Sequence, residues 1–215
     1  MIFIDPKLWA VSSGKPLGDF SEGDIIQLNE GGVPIDFYVA KHNYESALNG
    51  AGKTLVVRKD AYNQMKWNST GVNAYATSDI DKFLNSNYKA LFDSKTQESM
   101  DTTKFYYTPG AGNTNVEILE RSIFCLSAKE INKDVNTNTT PVEGSVLPIA
   151  SKLSIAYFGA DAVSQWLRTP RIDGDFANSD VVIYIFYLGN SMGTKVTASN
   201  IYSRPAFTLP SDFQI

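Results

Sequence analysis

Trp166-Leu167-Arg168-Thr169-Pro170 and Ser203-Arg204-Pro205-Ala206-Phe207-Thr208-Leu209 bracket the stretch whose reading decides the fold. Both ends combine large apolar side chains with an arginine and a proline, which suits framework. Between them, Arg171 to Tyr202 mixes Asp, Asn, Ser, Thr, Tyr and Phe without a catalytic pattern, which suits a displayed surface. Inside that run, Asp180 to Leu188 reads as a strand, and alternate residues of a strand face opposite sides. The odd set, Val181, Ile183, Ile185 and Tyr187, is mostly β-branched and suits a buried face. The even set, Asp180, Val182, Tyr184, Phe186 and Leu188, starts polar and carries two aromatics. One reading is a strand buried on both faces, because a continuous apolar run does not reveal its faces by periodicity. The other is a binding face with Tyr184 and Phe186 exposed, because aromatics with a polar handle recur on recognition surfaces.

Taken in order, Trp166 to Pro170, the polar and aromatic run, and Arg204-Pro205-Ala206-Phe207 resemble the end of a C-type-lectin-like domain. The set is similar to the variable proteins of diversity-generating retroelements and to a related uncharacterised domain family of gut bacteria and their phages. Leu55 to Asp60, Ser78 to Asp81 and Phe124 to Ser127 sit where that family places similar segments, so the resemblance covers the chain from near Gly23 onward. Tyr202-Ser203 stands where the retroelement pattern has a glycine and a hydrophobic residue, which implies a differently shaped last loop. The resemblance implies an α+β, C-type-lectin-like fold with mixed antiparallel sheets, one main amphipathic helix and short helices. It implies that the early strands pair with Arg204–Leu209, bringing the ends of the domain together. It also implies a receptor-binding role on a phage or prophage tail or a cell surface. The partner would be a protein or glycan of a host or neighbouring cell. Related lectin-fold enzymes that oxidise a sulfatase cysteine work through two active-site cysteines, and Cys125 alone cannot supply the pair.

A chain of 215 residues with 43% hydrophobic content fits one domain with a real core. Residues 1–22 are punctuated by Pro6, Gly14, Pro16 and Gly18 and read as an N-terminal arm, a site for self-association or a virion partner. Residues 23–215 read as the single ligand-binding domain. Net charge is −4 with no basic block, which argues against nucleic acid as a partner. No apolar run reaches transmembrane length, and Met1 to Asp5 lacks a signal-peptide pattern. These features fit cytoplasmic synthesis followed by placement on a virion or cell surface. Cys125 is the single cysteine and reads as an inert core residue.

Asp24–Leu28 and Asp36–Lys41 suggest a hairpin, followed by a strand from Thr54 to Lys59. Ser78 to Phe92 is the clearest helix, with Ile80, Phe83, Leu84, Tyr88, Leu91 and Phe92 on one stripe and Ser78 as its cap. A short helix after Ser94 and strands at Lys104–Thr108 and Ser122–Leu126 come next. Ser127-Ala128-Lys129-Glu130 repeats a capping pattern and predicts a short helix. Asn132 to Ser145 reads as a mobile loop and Ile149 to Phe158 as a helix.

Asn49-Gly50-Ala51-Gly52-Lys53-Thr54 lacks the first glycine and the following helix of a phosphate-binding loop, so it reads as a tight turn. Gly110-Ala111-Gly112 also reads as a turn. His42, the only histidine, rules out multi-histidine metal sites and reads as a surface or hydrogen-bonded residue. Asp173, Asp175, Asn178 and Asp180 form an oxygen-rich cluster that suits either a solvated loop or a calcium ion. No cofactor or metal site is expected. The expected ligand-binding patch is Asp175, Asn178, Asp180, Tyr184, Phe186, Asn190 and Tyr202, on the logic of antibody loops. Trp166, Arg168, Arg204 and Pro205 are its expected framework. A binder rather than an enzyme is the expectation. The alternatives are a carbohydrate hydrolase with a carboxylate pair such as Asp173 and Asp180, or a structural virion protein.

Overall fold

The computed structural model describes residues 14–133, 140–172 and 180–215. Its first hairpin follows from sequence: β1 (Ile25–Glu30) and β2 (Val33–Lys41) pair antiparallel from Ile25↔Tyr38 to Glu30↔Val33. Gly31 and Gly32 turn the chain between them at φ 63° and 84°, a region open to glycine at little cost. After α1 (Ser46–Asn49), β3 (Lys53–Arg58) adds to β2, and its last five residues are buried.

A helical stretch then begins with α2 (Asp79–Phe83), capped where Ser78 Oγ accepts from Asp81 N at 3.2 Å. Of the predicted stripe, Ile80, Leu84, Tyr88 and Phe92 are buried, while Phe83 and Leu91 are half-buried. The stretch is not one regular α-helix, because its turns widen over Leu84–Tyr88 and tighten over Lys89–Leu91. Asn85, in the wide part, accepts from Ser122 N and Ile123 N at 3.1 Å and donates to Ile123 O at 2.9 Å. Such side-chain insertion accompanies departures from α-helical winding. Next come α3 (Ser94–Ser99), the hairpin of β4 (Thr103–Tyr107) and β5 (Glu117–Arg121), and β6 (Ile123–Cys125).

The helix expected over Ile149–Phe158 is only α4 (Ala150–Leu153). Gly159, at φ 63°, instead folds β7 (Ala156–Phe158) back onto β8 (Asp161–Val163). Ser127 and Glu130 make both expected capping bonds, at 3.1 and 2.7 Å, yet only a turn follows. The loop expected over Asn132–Ser145 is ordered at its C-terminal end, where Glu143 is fully buried; residues 134–139 lie outside the described part.

The chain closes with β9 (Gln165–Pro170), β10 (Val181–Ile185), β11 (Ser191–Lys195) and β12 (Pro205–Pro210). Strand β12 lies between β3 and β6 in a five-stranded antiparallel sheet of order β1-β2-β3-β12-β6. Phe207 sits in its middle, with ring centroids 5.5 Å from Phe37 and 5.3 Å from Phe92. A three-stranded sheet of order β11-β10-β9 is separate. With short helices and mostly antiparallel sheets, the architecture is α+β. Leu17 is fully buried, and Leu17 N donates to Phe213 O at 2.8 Å. Ile215 N donates to Lys15 O at 3.1 Å and Gly18 N to Ser211 O at 2.6 Å, so residues 15–18 of the expected arm are seated on the C-terminal segment.

Candidate ligand-binding face

Arg168, in β9, has no solvent exposure. Its Nη1 donates to Glu130 Oε2 at 2.8 Å and Cys125 O at 2.9 Å, and its Nε donates to Tyr106 O at 3.1 Å. Its guanidinium lies 4.7 Å from the centre of the Phe105 ring, a cation–π distance. The Tyr44 hydroxyl donates to Glu130 Oε1. Glu143, 3.9 Å from Arg168 Nε, accepts from Thr108 N and Thr169 Oγ1 at 2.6 Å each. Burial opposes the charge of Arg168, but Glu130, Tyr44 and Glu143 hold its guanidinium well above its ordinary value. Burial pushes the Glu143 carboxyl up, opposed chiefly by Arg168. The Cys125 thiol, buried beside them, is pushed up to about 12, which leaves it inert. Glu130 and Glu143 are both sealed from solvent, so this acid cluster serves as framework rather than reaching a substrate.

Arg204 is buried by other means. Its Nε donates to Arg58 O at 2.9 Å, its Nη2 to Lys59 O at 2.6 Å, and its Nη1 to Leu153 O at 3.0 Å and Ile155 O at 3.3 Å. These carbonyls come from the end of β3 and from α4 onward, not from the loop before Arg204 as its neighbours suggest. Burial pulls the guanidinium down to about 10, still charged at neutral pH. Pro205 opens β12 opposite Cys125. Arg204→Ala is expected to cost about 2–4 kcal/mol, because four carbonyls lose a donor and a cavity opens. An unchanged melting temperature would refute that assignment.

The seven expected site residues do not form one patch. Asp175 and Asn178 lie outside the described residues. Asp180 is half-buried at the start of β10, with Lys195 Nζ 3.5 Å from its Oδ2. Asn190 is exposed at the other end, beyond about five strand steps of 3.3 Å. Tyr184 is buried, 9% exposed, contrary to the expected display. Its ring stands edge-on to Trp166, and its hydroxyl lies 3.7 Å from Met192 Sδ across the sheet. Val181, Ile183 and Ile185 are buried too, so β10 is covered on both faces. Phe186 is half-buried, and its ring lies tilted against Tyr187 at 4.1 Å between centroids. Tyr202 is half-buried, and its ring lies 5.1 Å from Phe158.

The exposed aromatics are ones the parity rule missed. Tyr157 and Phe158 on β7 are 44% and 49% exposed, and Tyr187 and Leu188 beyond β10 are 43% and 64% exposed. Gly189, just after the second pair, packs near the start of β7: a Cβ placed on it would lie 3.4 Å from both Ser154 O and Ile155 Cγ1. Apolar pairs flanking a glycine turn, Tyr157-Phe158-Gly159 and Tyr187-Leu188-Gly189, were the sequence signal for this surface. Beside Phe158 opens a groove of about 340 Å³ that also takes in Asp36, Arg58, Asp60, Ala61 and Gly159. No group of three metal-ligating side chains occurs among the described residues.

A family model matches residues 51–211. The chain belongs to that family, a domain of unknown function (DUF6273). The DUF6273 match runs from just before β3 through β12, so it takes in Arg168, Arg204 and both exposed apolar pairs. No curated protein and no solved structure matches the chain. No helix among the described residues is long and apolar enough to cross a membrane.

Proposed function

We propose that this DUF6273 chain is a C-type-lectin-like ligand-binding module, carried on a phage or prophage tail or a cell surface. Its ligand would be a protein or glycan of a host or neighbouring cell. The pairing of β12 with β3 supports the fold reading, since that resemblance implies an early strand beside Arg204–Leu209. The observation that carries the function is the exposure of Tyr157, Phe158, Tyr187 and Leu188 on two short hairpins. Hot spots concentrate in such aromatic anchors, and a rigid scaffold beneath loops favours recognition. Glu130 and Glu143 are sealed from solvent and cannot serve as a hydrolase pair, while Asp173 of the alternative pair with Asp180 lies outside the described residues. Labelled protein incubated with a panel of gut bacterial cells tests the reading. Saturable retention is expected on at least one strain. The double change Tyr187→Ser with Leu188→Ser should weaken it about tenfold or more at an unshifted melting temperature. Retention on no strain, or equal retention by the double variant, would remove this function.

A further inference from the structure

We infer that the groove between Phe158 and the carboxylates of Asp36 and Asp60 is a subsite for a neutral pyranose sugar. This rests on the ligand-binding reading and names the ligand class of that surface. The groove, at about 340 Å³, falls at the small end of ligand sites, which span about 300–1,000 Å³. One wall is the half-exposed ring of Phe158, braced by Tyr202 at 5.1 Å. Its strand is tied to the body where Ala61 N donates to Tyr157 O at 2.8 Å. The wall is therefore a flat apolar platform fixed in place.

The remaining lining offers acceptors rather than donors. Asp36 accepts from Gln27 Nε2 and Lys59 Nζ at 3.1 Å each, and these bonds hold its carboxyl below the usual range, so it stays ionised. A carboxylate has about four acceptor sites, so each Asp36 oxygen keeps a spare one. The Asp60 carboxylate has no hydrogen bond or ion pair among the described residues. Arg58 has four of its five N–H donors engaged: it donates to both Glu30 oxygens at 3.0 and 3.2 Å, to Asp60 O at 2.9 Å and to Ala61 O at 2.7 Å. The groove thus sets two carboxylates, Asp36 and Asp60, against an Arg58 already engaged with Glu30, which disfavours an anion. Its ligand must bring several hydrogen-bond donors and one apolar face. A neutral pyranose has both, with hydroxyls at its edge and a C–H face for the ring of Phe158. A lone cation would find only Asp60 without an ion pair, since Lys59 already neutralises Asp36, and would leave the spare lone pairs of Asp36 without hydroxyl donors.

The test titrates the full chain by calorimetry with neutral oligosaccharides of glucose, galactose, mannose and N-acetylglucosamine, with sialylated counterparts, and with a lysine-containing peptide. Saturable binding of at least one neutral sugar is expected, with the sialylated form weaker. Phe158→Ala and Asp60→Asn should each weaken it about tenfold or more at an unchanged melting temperature. Binding of no neutral sugar, equal binding by both variants, or preference for the peptide would overturn the inference. Cells separate this failure from that of the broader reading. Periodate, which cleaves sugar diols, should abolish cell retention. Retention that survives periodate but is lost on protease treatment would overturn the sugar and leave the binding module standing. Absence of retention on untreated cells would overturn both.

Discussion

Arg168→Ala is expected to lower stability by about 3–5 kcal/mol, the cost of breaking a buried ion pair from one side. Glu130 and Glu143 would both remain inside without a counter-charge, and neither has any solvent exposure. The carbonyls of Cys125 and Tyr106 would also lose their donor. In a domain of this size 1 kcal/mol moves the melting temperature by about 2–4 °C, so a fall of about 6–20 °C should appear. If the alanine variant does not fold, Arg168→Lys gives the answer. A lysine is a point charge without the planar fork, so it cannot serve Glu130, Cys125 O and Tyr106 O together. It should fall between wild type and alanine. Adding Glu130→Gln and Glu143→Gln to Arg168→Met should recover part of the loss, because no buried charge is then left unpaired. A melting temperature for Arg168→Ala within 2 °C of wild type would mean that the network is not holding the fold.

The legible parts of this chain were those with a local cause. The β1–β2 hairpin followed from two apolar runs around Gly31-Gly32, and the Ser78 cap announced the helical stretch. Arg204 and Trp166 were readable as buried because their neighbours are aromatic, apolar or proline. The partners of Arg168 were not readable. Glu130 sits in a capping pattern that looks like a surface helix start, and Glu143 lies in a polar stretch that looks mobile. Only the tertiary approach of β9 gives both acids a cation. Tyr184 was misplaced for a similar reason. Parity assigns a side chain to a face, but whether that face is covered depends on Trp166 and Met192, on two other strands. Parity also ran too far: β10 ends at Ile185, and Phe186 N already donates to Asn190 O in the turn, which releases Tyr187 to solvent.

Trp166→Ala is expected to cost about 3–5 kcal/mol, the usual loss on emptying a buried aromatic site. The side chain is 1% exposed, and its indole Nε1 donates to Met65 O at 2.8 Å. Its ring supports Tyr184 edge-on, and its backbone N–H donates to Tyr202 O at 2.9 Å. The substitution therefore opens a cavity under β10, removes a donor from a carbonyl and loosens the strand that positions Tyr202. Trp166→Phe, which keeps most of the volume and loses the N–H, should cost less, about 1–3 kcal/mol. Cell retention gives a second readout. Trp166→Ala should lose retention only in proportion to the fraction unfolded. The Tyr187 and Leu188 double variant should instead lose retention while fully folded, because those side chains face solvent and bear little of the core. Full stability in Trp166→Ala would put the indole outside the core. Lost retention in a fully folded Trp166→Ala protein would make Trp166 part of the binding face rather than its support.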